Sequence, residues 1–294
     1  MDIQHTFTQV SPHCYMLSPH PATDRPLLGL IAGRGGALLV DAGNSSRHAR
    51  LMLGEIAKRG LASPTFLMFT HWHWDHVFGA QALNLQTFAH RETRRILTVM
   101  AGLDWSDAAL DLRVADGRET ASCRDNIKAE LPDRSGLVIR PPDISYDSGV
   151  ELHLDGVSCQ IVHVGGDHSP DESVVYVPED KVVFLGDCLS KDFDHGPRRY
   201  TTAELFPLLD RLLSFEADLY FESHTPLPIP RSDLAAEAGV LKTIGRVVER
   251  LAPDRQAVLS ALPGLLKTGL NQDHIEDVDA FFAGLRLPVV RSML

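Results

Sequence analysis

The residues most able to do chemistry lie in one short run, Thr70-His71-Trp72-His73-Trp74-Asp75-His76, which places three imidazoles and a carboxylate among two indoles. An extended backbone would aim His71 and His73 to one side, with Asp75 beside them if the run lasts that far, and Trp72 and Trp74 to the other. His76 must then turn elsewhere and open a helix, so the run favours two groups of ligands over one. Imidazole nitrogens with carboxylate oxygens suit Zn²⁺, Fe²⁺ or Mn²⁺ without any thiolate. A catalytic centre wants three or four protein ligands per metal and an open position for water. Further donors stand in three later segments: His168 in GGDHSPDES, Asp187 in FLGDCL and His224 in FESHTPLP.

The elements that must position these donors are legible as strands running into polar residues. Residues 5 to 41 read as β-structure, with LLGLIAG and GALLVD flanking the hairpin signature Arg34-Gly35. Ser45 or Ser46 can cap the helix RHARLMLGEIAKRG, whose apolar positions are Leu51, Leu53, Ile56 and Ala57 and which stops at Gly60. The buried strand TFLMFT leads straight into the histidine run. Residues 91 to 133 are helical and charged, and GLVIRPPDISYDSG reads as a loop after them. Strands VELHL, SCQIVHV, SVVYV and KVVFLG follow, the last ending at Asp187, and ADLYFES ends at His224. A helix covers about 204 to 214, where Pro207 fits only in a first turn, and the chain from about 231 onward is mainly helical. Loops after strand ends are where α/β layers usually carry chemistry.

These motifs, in this order, resemble the metallo-β-lactamase superfamily. Asp41 in LLVDAG matches its first motif, His71-x-His73-x-Asp75-His76 its second, His168 its third, Asp187 its fourth and His224 its fifth. The resemblance covers about residues 25 to 230. It implies an α/β fold, a four-layer αββα sandwich formed by a single domain over 1–294, with a helical insert at about 91–145 and a C-terminal helical extension at about 231–294. It also implies two divalent cations, zinc first with iron or manganese as alternatives. His71, His73 and His168 would hold one, Asp75, His76 and His224 the other, and Asp187 would bridge them. Asp41 would stand behind the ligands and order the motif loop. Two cations about 3.5 to 4 Å apart can share a water and lower its pKa toward about 7, supplying a bridging hydroxide for hydrolysis, with Asp75 orienting it or receiving its proton.

The implied activity is hydrolysis of a small ester, thioester, lactone or amide. A mononuclear iron persulfide dioxygenase shares much of the ligand set, and a non-catalytic protein that merely retains metal is the reading from another class. Lactonases of the family place a tyrosine soon after the bridging aspartate, where this chain has Cys188, Leu189 and Ser190. Trp72, Trp74, Lys191 and Arg198 are the candidates for touching substrate. The indoles suit core packing too, and a solvated loop would account for Lys191, Arg198 and Arg199 as well. His90 and His195 lie in segments that could approach the site, His153 and His163 read as strand-face residues, and Cys188 as packing.

The net charge of −11 disfavours a nucleic-acid partner, so a small-molecule substrate is expected. No apolar run approaches the roughly 18 residues of a membrane helix, and the opening MDIQHTFTQVSPHCYML lacks a leader pattern, which predicts a cytoplasmic protein without a membrane partner. The cysteines, Cys14, Cys123, Cys159 and Cys188, are too scattered for a disulfide framework and read as reduced thiols. The C-terminal helices would either complete an outer layer or form a homodimer contact.

Overall fold

A computed structural model describes residues 4–193, 196–266 and 269–285. Seven strands form the first sheet in sequence order: β1 (Phe7–Gln9), β2 (Cys14–Leu17), β3 (Leu28–Ala32), β4 (Ala37–Val40), β5 (Phe66–Met68), β6 (Gln86–His90) and β7 (Ile144–Tyr146). The first four run antiparallel, and the Arg34-Gly35 hairpin joins β3 to β4. From β4 to β7 the pairing is parallel. Parallel neighbours need crossovers. These are α1 (Ser46–Lys58), then α2 (Trp74–Val77), then the insert helices α3 (Arg91–Met100), α4 (Asp107–Ala115) and α5 (Ala121–Glu130).

The second sheet contains β8 (Gly149–His153), β9 (Ser158–His163), β10 (Ser173–Val177), β11 (Val182–Gly186), β12 (Leu219–Glu222) and β13 (Ile229–Pro230), in spatial order β13-β12-β11-β10-β9-β8. Its single parallel pair, β11 with β12, is crossed by α6 (Thr202–Ser214). Helices α7 (Arg231–Leu251), α8 (Arg255–Ala261) and α9 (Gln272–Gly284) complete the described chain.

Strand alternation explains the layering. In ALLV, Leu38 and Val40 face the second sheet and pack with Val175, Phe184 and Phe221, whereas Ala37 and Leu39 face the helices. The strand reads as continuously apolar because both of its faces are covered. Outside the first sheet lie Ala49, Met52 and Ile56 of α1, Trp74 and Val77 of α2, and Ile96 and Leu97 of α3. Outside the second lie Leu205, Leu208, Leu209 and Leu212 of α6, with Leu241, Ile244 and Val248 of α7 and Phe281 of α9. The result is a four-layer αββα sandwich, and the C-terminal helices complete its outer layer.

Several expectations change in detail. Ser45 is the cap of α1, accepting the N–H of His48. The buried face of that helix is His48, Ala49, Met52 and Ile56, while Leu51 is 38% exposed and Ala57 is exposed. The buried face thus takes in the polar His48, whose ring stacks on that of His5 at 5.1 Å. Pro207 falls beyond the first turn of α6, which begins at Thr202. The insert ends earlier than expected, since Ile144–Tyr146 is a strand of the first sheet and not a loop.

The insert is anchored to the sandwich by Glu130 at the end of α5. Its carboxylate accepts from Arg25 Nη2 at 2.7 Å, and from the hydroxyls of Thr23 and Ser45. Both Arg25 and Glu130 are almost fully buried. All four cysteines are free thiols. No described helix is long and apolar enough to cross a membrane.

Candidate metal centre

The histidine run leaves β5 and does not stay extended. It bends through residues 70–73, and α2 opens at Trp74 rather than at His76. The bend ends the alternation, so Asp75 parts from His71 and His73. Two clusters result: His71, His73 and His168 in one, Asp75, His76, Asp187 and His224 in the other. In the first, Nδ1 of His73 is 2.9 Å from Nε2 of His71 and 2.9 Å from Nε2 of His168. In the second, Asp75 Oδ2 is 3.2 Å from His76 Nε2 and 3.3 Å from His224 Nε2. Asp187 Oδ2 stands 3.2 Å from His224 Nε2, 3.5 Å from His76 Nε2 and 3.6 Å from His168 Nε2, so it touches both groups.

Asp187 reaches that position because β11 ends at Gly186, whose φ of +63° turns the chain and whose missing side chain leaves room for Thr70. A Cβ at Gly186 would lie 2.7 Å from Thr70 Cβ. Thr70 is the joint between the sheets, since its carbonyl accepts the N–H of Ser173 at 2.9 Å.

The donor set fits divalent cations. His71, His73, Asp75, His76, His168 and Asp187 are buried, while His224 is partly open. Among the described residues, His76 Nε2 and Asp187 Oδ1 have no hydrogen-bond partner, although both are buried. Asp41, Asp75, Asp171, Glu172 and Asp187 bury five carboxyl groups around these imidazoles. Burial raises the pKa of Asp171 and Glu172, but Asp75 and Asp187 are held below the usual carboxylate range, and their buried charge is costly unless cations compensate it. Burial, helped by the charge of His76, holds His71 well below its ordinary pKa, which keeps it neutral as a metal ligand must be. Burial opposes ionisation of Asp187, but the charges of His224 and His76 outweigh it and hold the carboxyl well below the usual range.

Behind the two clusters stands Asp41, in a left-handed conformation at φ +63°. Its Oδ1 accepts the N–H of Thr70 at 2.8 Å, and its Oδ2 accepts the Thr70 hydroxyl at 2.9 Å and lies 2.8 Å from His76 Nδ1. Nε2 of His76 is thereby turned to the cluster.

Glu172 was not singled out from the sequence. It is fully buried, neither carboxyl oxygen has a hydrogen-bond partner among the described residues, and Oε1 lies 3.4 Å from Nδ1 of His71. Burial raises its pKa well above the ordinary value, with the charge of Asp187 adding to the effect. Its sequence signal was a pair of acids, Asp171-Glu172, directly before the wholly buried β10, where at least one had to point inward.

Both clusters open on a cavity of about 910 Å³. Trp72, Trp74, Lys191 and Arg198 all line it. The indoles also pack, Trp74 within the core at 5.9 Å from Phe78 and Trp72 edge-on to His73 at 4.4 Å. Lys191 is engaged by Asp277 at 2.8 Å and lies over the Tyr200 ring, whereas Arg198 is exposed. Arg199 pairs with Asp192 at 2.7 Å. His90 stacks on His163 at 3.9 Å, away from the ligands, and Cys188 is buried in the outer core. His195 lies outside the described residues. The insert lines the cavity through Trp105, Arg113 and Arg118, and Glu222, which burial pushes up to about 7, lines it beside His224.

Residues 26–224 match the sequence profile of the metallo-beta-lactamase superfamily, and the chain belongs to that family. It is 24% identical over 226 residues to the linear primary-alkylsulfatase of a Pseudomonas species, a match spanning 66% of this chain but 40% of that protein's length. Among solved structures it is similar to a metallo-beta-lactamase family protein from Thermus thermophilus, with a TM-score of 0.59, 20% identity and coverage of 95% and 94% of the two chains. It is also similar to the stereoselective inverting sec-alkylsulfatase Pisa1 from Pseudomonas sp., with a TM-score of 0.67 and 16% identity, covering 95% of this chain and 50% of that one.

Proposed function

We propose that this protein is a hydrolase that uses two divalent cations, zinc first with manganese or iron as alternatives, on a small ester, thioester, lactone or amide. One observation carries the reading: two clusters of buried nitrogen and oxygen donors face one cavity, and Asp187 is within 3.6 Å of members of both. His71, His73 and His168 would hold one cation, Asp75, His76 and His224 the other, and Asp187 would bridge. Bound there, the cations would acidify a water and polarise the bond under attack.

The chain's own groups supply the rest. Asp41 holds His76 and Thr70, and so the motif loop, in one arrangement. Asp75 is ionised without metal: burial opposes this, yet the charge of His76 and the hydrogen bond from His224 outweigh it and keep the carboxyl below the usual range, and a bound cation would hold it ionised in their place. It is the residue placed to orient a water and accept its proton. Trp72 and Trp74 give the cavity apolar walls that limit competing water.

The likeness to two alkylsulfatases adds sulfate esters to the candidate substrates. The test is metal analysis of protein purified without added metal, followed by a panel of chromogenic esters, thioesters, lactones, sulfate esters and β-lactams. About two zinc or manganese ions per chain with turnover supports the reading. A single iron with oxygen uptake would overturn it in favour of a persulfide dioxygenase-like enzyme. Metal retained with no turnover on any member would favour a binding protein.

A further inference from the structure

A chain of net charge −11 repels anions in general, so any anion it binds needs a dedicated local cation. Besides Arg113, the described cavity wall carries Lys191, engaged by Asp277 at 2.8 Å, Arg118, engaged by Asp116 at 2.9 Å, and Arg198, which is exposed to solvent and so offers an anion only a screened charge. Arg113 differs from all three. It leaves α4 on the insert side of the cavity, is 5% exposed, and lies over the Trp105 ring at 4.7 Å. Nη1 donates to the carbonyl of Asp104 at 2.9 Å. Nη2 is buried and has no hydrogen-bond partner among the described residues. Burial pulls the pKa of Arg113 down, and the charge of Glu119 acts against that shift.

A buried guanidinium with part of its fork unused is costly, and a methionine or leucine would cover Trp105 without that cost. The position therefore calls for a ligand and not merely for packing. The cavity's apolar wall comes from Trp72 and Trp74 on the metal loop and from Met100, Leu103 and Trp105 on the insert. A guanidinium fork matches the planar geometry of a carboxylate.

We propose that Arg113 is an anion anchor, so that the substrate carries, besides the bond cleaved at the ligand clusters, an apolar stretch and a terminal carboxylate bound by Arg113. The substrate class would thus be a half-ester or half-thioester of a dicarboxylic acid rather than a plain alkyl ester. This rests on the hydrolase reading for what happens at the clusters, but the anchor itself is a statement about binding.

The experiment has a binding arm and a turnover arm, both on the full-length, metal-loaded protein. In the first, tryptophan fluorescence is titrated with hexanedioate and with hexanoate, neither of which has a bond to cleave. Hexanedioate should bind about tenfold or more tightly, the scale of one charge-assisted hydrogen bond at a buried site, and Arg113→Met should remove the difference. In the second, kcat/KM is compared for the p-nitrophenyl half-ester of adipic acid and p-nitrophenyl hexanoate, where the preference should be of similar size and fall with the same substitution. Equal affinities for the two acids in the wild type would overturn the anchor, and that measurement stands even if the variant does not fold. A preference that survives Arg113→Met would overturn it as well. If the binding preference and its loss are seen but neither ester turns over, the anchor holds and the hydrolase reading fails. Turnover of both esters at equal rates, with equal binding, keeps the hydrolase and removes the anchor.

Discussion

Oδ2 of Asp41 lies 2.8 Å from Nδ1 of His76 while Oδ1 accepts the N–H of Thr70, so a carboxylate at the end of β4 sets the direction of an imidazole 35 residues later. The contact leaves Nε2 of His76 aimed at Asp75 and Asp187. Asp41→Ala should weaken cation binding at the second cluster by about 10- to 100-fold, the usual cost of losing the partner behind a metal ligand. Competition with a chromogenic chelator measures this. Unchanged affinity in a folded variant would remove Asp41 from that role.

Glu172 backs His71 more loosely: Nδ1 meets the Thr70 hydroxyl at 3.0 Å, and Oε1 of Glu172 stands behind at 3.4 Å. Glu172→Gln keeps an acceptor near Nδ1 and should bind metal almost as the wild type does. Glu172→Ala, which leaves Nδ1 of His71 with the Thr70 hydroxyl alone, should lose about tenfold at the first cluster. The same chelator titration, resolved into tight and weak phases, separates the two clusters. Equal loss in both variants would mean that charge, and not the contact with Nδ1, is what matters.

Glu130 should make stability sensitive to acid. Burial works to raise its pKa, but the hydrogen bonds from Arg25, Ser45 and Thr23 prevail and lower it below the ordinary glutamate value. A group with a lowered folded pKa contributes fully above its unfolded pKa, and the contribution disappears as pH falls through the folded value. Glu130→Gln should therefore cost stability near neutral pH, roughly 3 to 5 kcal/mol for a broken buried pair. The gap between variant and wild type should narrow as pH is lowered below about 4. Urea midpoints across that range test it, and a gap that stays constant with pH would contradict the assignment.

Removal of metal should be felt in both stability and chemistry. Dialysis against a chelator is expected to abolish turnover and lower Tm, and cation at about 100 times its Kd should restore about 2.7 kcal/mol per site. Asp187→Ala should bring the metal content below that of the wild type, because this one side chain touches both clusters. A variant that still bound the wild-type complement would show that each cluster is complete without Asp187.

Much of this arrangement is legible in the sequence. The strands run into Asp41, His71, Asp187 and His224, and apolar runs bounded by turn residues are the strongest signal that sequence offers. The order of the motifs at their ends carries the family resemblance, and the layered fold is what that resemblance implies. What is less legible depends on neighbours far along the chain. Leu51 is among the apolar positions of α1, yet it is exposed, while the polar His48 is buried with its ring stacked on His5. Ile144–Tyr146 reads as loop, because a three-residue strand at a sheet edge carries almost no periodicity of its own.

The sequence alone determined which donor types are available, that they stand at strand ends, and that the family pattern divides them into two groups around Asp187. Spacing can settle such things because it reports what one short segment presents. Only the tertiary structure showed that the run bends at residues 70–73, the turn by which Asp75 leaves the side of His71 and His73. It also placed Glu172 behind His71, tied Lys191 to Asp277, and left Arg113 buried on the cavity wall with Nη2 unpartnered among the described residues. Each of these is a relation between residues remote in sequence, and burial and pairing of that kind exist only once the layers have packed.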